Sequence, residues 1–145
     1  MKGKRSRMWT IAGVVLVVLV AIGPVTFFVM DRFRNPSVVQ ELIDEPQGER
    51  AARVMVLTLP SGRVIPVNYL REGERVYAGA DGRWWKELEG EGFPVTLVIR
   101  GETLQGTARA VLDDAAYTKD VFSRLRPTAL PGFGTLIEIE LAPGA

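Results

Sequence analysis

Among the 145 residues there is neither histidine nor cysteine. The commonest general base near neutral pH is therefore missing, and so is the thiolate as nucleophile or metal ligand. This argues against Ser-His-Asp hydrolysis and the usual zinc chemistry, and no EF-hand spacing of carboxylates is present. What remains is hydroxyl, phenol, guanidinium, ammonium and indole chemistry, grouped in three places. Pro60-Ser61-Gly62-Arg63 puts a hydroxyl, backbone N–H groups and a guanidinium in one short link. These are the ingredients for holding a phosphate or carboxylate, although the same residues also make an ordinary turn. Asn68-Tyr69 offers a phenol that could donate a hydrogen bond or proton to a substrate, so Tyr69 is the candidate catalytic group; a half-buried strand tyrosine reads the same way. Arg83-Trp84-Trp85-Lys86 sets two indoles between two cations, which suits an anion beside a flat ring or equally a solvated basic rim. The carboxylate pairs Glu72/Glu74, Glu89/Glu91 and Asp113/Asp114 fall in turns or at a helix start, where solvation and capping account for them.

These residues need a frame. Strand-length apolar blocks at Val54–Leu59, Val64–Leu70 and Arg75–Gly79 are separated by Pro60-Ser61-Gly62 and Glu72-Gly73-Glu74. They predict a three-stranded antiparallel meander, closed by a helical turn at Trp84–Leu88. Pro94–Arg100 and Thr103–Leu112 flank Gly101 as a hairpin. Along the second of these strands Leu104, Ala108, Ala110 and Leu112 share one face. Asp113-Asp114 caps a helix over Ala115–Leu125, and Gly134–Leu141 is the last strand. The fold class is therefore α+β: a small barrel of about six mainly antiparallel strands with one or two helices, one of them plugging an end. A core this small makes a homodimer across a barrel face an expectation as well.

The N-terminal part is different. Residues 1–7 are a basic tail, and Met8–Met30 holds no charge over twenty-three residues. A helix of that length spans roughly 34 Å, enough for a hydrocarbon core of about 30 Å. A single transmembrane helix at 8–30 is expected rather than a cleaved signal, because the apolar run exceeds an ordinary h-region and no A-x-A site follows. Residues 1–34 carry six Lys/Arg against one acid, whereas residues 35–145 carry twelve against sixteen, so the folded part is mildly acidic and no nucleic-acid partner is expected. The positive-inside tendency places the N-terminus in the cytoplasm and the domain outside, at the lipid bilayer. Residues 31–50 read as a linker with a short helix from Ser37, its N-cap, through Ile43; the barrel domain occupies 51–145.

Leu57-Thr58, Ser61-Gly62, Arg63-Val64-Ile65-Pro66-Val67, Tyr69-Leu70, Gly73-Glu74, Trp84-Trp85-Lys86-Glu87-Leu88 and Val95–Gly101 follow one another in a fixed order. In that order they resemble the deazaflavin-dependent nitroreductase family of the split β-barrel flavin-binding superfamily, over residues 51–126. The resemblance implies a split barrel, often dimeric, with deazaflavin or FMN at the barrel edge. It also implies hydride transfer to a lipophilic acceptor such as a quinone, or to a nitro compound or enone. Ser61, Gly62 and Arg63 would approach the cofactor phosphate, and Pro66 would line the ring site. Tyr69 or Trp85 would face the substrate, and Arg83 and Lys86 would add positive charge. Two departures motivate an alternative. The loop before Arg63 is short and lacks the family's Lys, and Glu87 stands where Asn is usual. They point to a cofactor-free barrel that binds a lipid or protein partner at the membrane.

Overall fold

The structure, a computed structural model, describes residues 35–130 and 132–144. The expected membrane helix at 8–30 lies outside the described residues; among those described, no helix is long and apolar enough to cross a membrane. Residues from Val38 onward form one compact unit.

Six strands build it: β1 (Val54–Thr58), β2 (Val64–Glu72), β3 (Arg75–Ala80), β4 (Phe93–Ile99), β5 (Glu102–Val111) and β6 (Thr135–Leu141). They close into a barrel in the order β1-β2-β3-β6-β5-β4, and every pair is antiparallel. The α+β barrel expected from the alternation is therefore present, with strand ends within a residue or two of those read from the sequence. Arg100 (φ 51°) and Gly101 (φ 84°) both lie in the left-handed region, as a two-residue hairpin with right-twisted strands requires.

The interior is full. Met55 and Leu57 of β1, Val76 of β3, Leu97 of β4, Leu104 of β5 and Ile137 and Ile139 of β6 are all essentially inaccessible, and no buried polar side chain interrupts them among the described residues. Inward-pointing side chains fill a barrel of this size, so a ligand has to sit on the outside or at a rim.

Two helices cover the walls. Helix α1, residues 35–44, lays Val38, Val39 and Leu42 against Val54, Val56 and Val98 on the outer face of β1 and β4. The helix begins before Ser37, which is therefore inside it and not its N-cap. Helix α2 (Ala115–Leu125) is capped by Asp114, whose Oδ1 accepts the Tyr117 N–H at 2.9 Å. It does not plug a barrel end. Val121, Tyr117 and Phe122 pack on Tyr77, Val111 and Leu136, the outward residues of β3, β5 and β6. The plug is the 3-10 turn Arg83–Leu88, which drives Leu88 into the core. Leu112, expected on the inward face of β5, lies past the strand end and is exposed.

Candidate functional site

Of the three sequence candidates, two meet at one rim. The chain reverses between β1 and β2 by two backbone bonds: Gly62 N–H to Leu59 O at 2.8 Å, and Leu59 N–H to Arg63 O at 2.9 Å. Ser61, Gly62 and Arg63 are all exposed on this turn. The 3-10 turn Arg83–Leu88 lies beside it, because the Ser61 N–H points at Glu87 Oε2 at 3.4 Å. Segments more than twenty residues apart are thus neighbours. Arg63, Arg83 and Lys86 stand exposed on this rim with no salt bridge among the described residues. Trp84 and Trp85 are both half-buried against the interior cluster. Lys86 Nζ lies 5.7 Å from the centre of the Trp85 ring, within cation–π range.

Whether a phosphate-bearing flavin suits this rim depends on the donors it offers. The cations and the indole faces suit it. The turn's amides suit it less. The Gly62 N–H is used within the turn at an ordinary distance. Those of Ser61 and Arg63 reach Glu87 and Ser61 Oγ at 3.4 Å, beyond the usual 2.7–3.2 Å for N–H···O. Glu87 adds a like charge to the place a phosphate would take. The rim therefore fits an anion through its guanidinium and ammonium groups and not through a backbone cradle.

The other candidates fall elsewhere. Pro66 pairs with Val56 in mid-β2 and is half-buried, out of phase with the inward Ile65 and Val67, so it sits on the outer wall. Tyr69 lies toward the far end of β2, five residues beyond Val64 and about 17 Å along the strand. Its hydroxyl donates to Ala51 O at 3.2 Å. Burial pushes the phenol above its ordinary value, while the guanidinium groups of Arg100 and Arg71 pull the other way. It is thus protonated at neutral pH. Tyr69 lines an open cleft of about 870 Å³ between α1, the Arg50–Ala52 turn, β2 and the end of α2, and none of the rim residues reaches it.

Two constellations were not visible in the sequence. Arg126, just past α2, clamps the rim: its Nη1 pairs with Asp81 Oδ1 at 2.5 Å, and its Nη2 donates to Gly79 O at 2.6 Å. A Cβ on Gly79 would come within 2.6 Å of the guanidinium carbon, so any other residue there would force the clamp to shift. On the outer wall, Tyr117 Oη donates to Glu138 Oε2 at 2.5 Å and lies 3.0 Å from Tyr77 Oη, while Arg109 holds the other carboxylate oxygen at 2.8 Å.

No protein-family model matches the chain, and no curated protein sequence matches it. Among solved structures, one similar chain is a Listeria innocua protein provisionally described as a pyridoxamine 5′-phosphate oxidase. It is 18% identical, covering 61% of this chain and 83% of that one, with a TM-score of 0.49. A likeness of that size carries no functional information.

Proposed function

We propose that the barrel is a flavin-type reductase that holds deazaflavin or FMN at the rim and passes hydride to a quinone-like or nitro acceptor. The observation that supports this reading is the meeting of the Ser61–Arg63 turn with the Trp84–Lys86 turn, which brings together two segments carrying three exposed cations, none in a salt bridge among the described residues, and two indoles. The cofactor, when bound, supplies the hydride chemistry. The chain's own residues neutralise and orient. Arg63, Arg83 and Lys86 would balance the phosphate charge, and Trp85 would present a flat face to the ring. Tyr69 lies too far along β2 to share that site, so in this reading it is not the proton donor.

A second reading is favoured by a different observation. The Gly62 amide is already used, and Glu87 stands at the turn, so the barrel is a cofactor-free module binding a lipid or protein partner. Titration of the full chain with FMN and with oxidised and reduced deazaflavin, followed by fluorescence, decides between the two. Micromolar binding supports the reductase; no binding at millimolar ligand supports the module.

In both readings we propose that residues 8–30 hold the domain beside the bilayer, with the N-terminus in the cytoplasm and the domain outside. The protein should then stay in the membrane pellet after carbonate extraction, and the barrel should be open to protease added outside a sealed membrane of native orientation. The homodimer is likewise a proposal, checked by light scattering.

A further inference from the structure

The cleft at the far end of β2 takes no part in the rim reading, and its walls carry opposite charge. Glu41, Glu45 and Glu49 come from α1 and the segment after it; Arg50, Arg53 and Arg124 come from the 3-10 turn and the end of α2. The formal charge of the lining is therefore zero, with three groups of each sign. Not all of them are satisfied. Arg50 sits 2.9 Å from Glu41, and Arg124 is held by Glu72 and Asp120. The Arg53–Glu49 contact is 3.4 Å between side chains that are 73% and 92% exposed, and Glu45 has no salt-bridge partner among the described residues. A pair as exposed as Arg53–Glu49 holds its members weakly. Arg53 and Glu45 are thus open to a ligand.

A purely anionic ligand would meet three carboxylates here, and a purely cationic one three guanidiniums. A ligand carrying both charges meets neither penalty. Leu70 and Leu125, both half-buried, add apolar surface to the same cleft, and Asn68 and the protonated phenol of Tyr69 add neutral hydrogen-bonding groups. We propose that the cleft binds the headgroup of a zwitterionic phospholipid. Its ammonium faces Glu45, its phosphate faces Arg53, and the start of its acyl chains lies over Leu70 and Leu125. The choice of a lipid rests on the proposed membrane segment. Leu42 lies twelve positions after Met30, and because residues 35–44 are helical that link spans about 30 Å at most, so a bilayer holding 8–30 is within reach of the cleft. It does not rest on flavin binding at the rim, and the test below does not read it.

The test uses the full chain in maltoside micelles and native mass spectrometry, with phosphatidylethanolamine and phosphatidylglycerol of matched chains at equal mole fraction. The wild type should retain the zwitterionic lipid about fivefold over the anionic one, and Arg53→Glu and Glu45→Lys should each lower that retention about fivefold. Both positions are exposed, and unchanged circular dichroism of the variants checks the fold. Equal retention of the two lipids by the wild type overturns the proposal without reference to any variant, as does unchanged retention in both variants. Complete displacement by micromolar free phosphoethanolamine would assign the cleft to the soluble ester and overturn the lipid source.

Discussion

Replacing Glu138 by alanine tests the polar ladder that ties α2 to the barrel. Glu138 lies on β6 opposite both Tyr77 on β3 and Arg109 on β5, and its side chain is only 13% exposed. One carboxylate oxygen accepts from Tyr117 at 2.5 Å, the other from Arg109 at 2.8 and 3.2 Å. A hydrogen bond to a charged group contributes about 1.5–3 kcal/mol. The Arg109 side chain is half-exposed, so its pair contributes about 1 kcal/mol or less. Glu138→Ala should therefore cost about 2–3 kcal/mol, which is a fall in Tm of roughly 10–20 °C for a domain of this size. Thermal unfolding of the full chain by circular dichroism reads it. Tyr117→Phe removes the shared bond, so the double variant should be less destabilised than the sum of the two. The pH dependence has a definite sign. Burial alone would raise the Glu138 pKa, but the Tyr117 and Arg109 hydrogen bonds and the charges of Arg109 and Arg75 outweigh it, leaving the folded value below the ordinary 4.5. The unfolded chain then binds the proton more readily, so this contribution is complete above 4.5 and is lost as pH falls through the folded value. A loss under about 0.5 kcal/mol at neutral pH, the range of an ordinary surface change, would refute the reasoning. So would a difference between wild type and variant that stays flat into acid.

Two further substitutions address the rim. Glu87→Gln removes a like charge from the place a phosphate would take, and should tighten FMN or deazaflavin by about fivefold, or about 1 kcal/mol; an unchanged Kd in a protein that does bind would move the phosphate away from Glu87. Gly79→Ala puts a methyl where the Arg126 guanidinium lies and should cost about 1.5–3 kcal/mol by breaking its bonds to Gly79 O and Asp81. Because Asp81 precedes the Trp turn, tryptophan emission should shift as well, and an unmoved Tm would show that the guanidinium relocates at no cost.

The barrel was legible because period-two alternation is local. Each strand from Val54 to Leu141 declares its own inward face, and the Gly73 and Gly101 links declare the reversals. Where α2 would go was not legible. Its apolar stripe says that one face is buried but not against what, and the outward Tyr77, Val111 and Leu136 become a docking wall only once β3, β5 and β6 have come together. The site was half legible for the same reason. Ser61–Arg63 and Arg83–Lys86 were each visible as chemistry, and the Ser61–Glu87 contact joins them. Tyr69 was joined to them only by the family resemblance, yet it sits five residues along β2 from Val64, toward the other end of the strand. Glu138, Tyr117 and Arg126 carried no signal, because their partners lie 21 to 47 residues away.

The filled interior constrains function as well as stability. With Leu57, Leu97, Leu104 and Ile137 closing the core, the barrel offers ligands only its outside, and β2 runs between the exposed cationic rim turn and the cleft. The rim turn and Tyr69 are about 17 Å apart along that strand, well past the 7–10 Å beyond which substitutions usually act independently. Glu87→Gln and Arg53→Glu share no partner, so their effects on Tm should add to within about 0.5 kcal/mol, and neither should alter the binding read at the other place. Coupling beyond that, measured by unfolding of the two single variants and the double variant, would mean that the barrel wall transmits between rim and cleft. The two would then have to be treated as halves of one site.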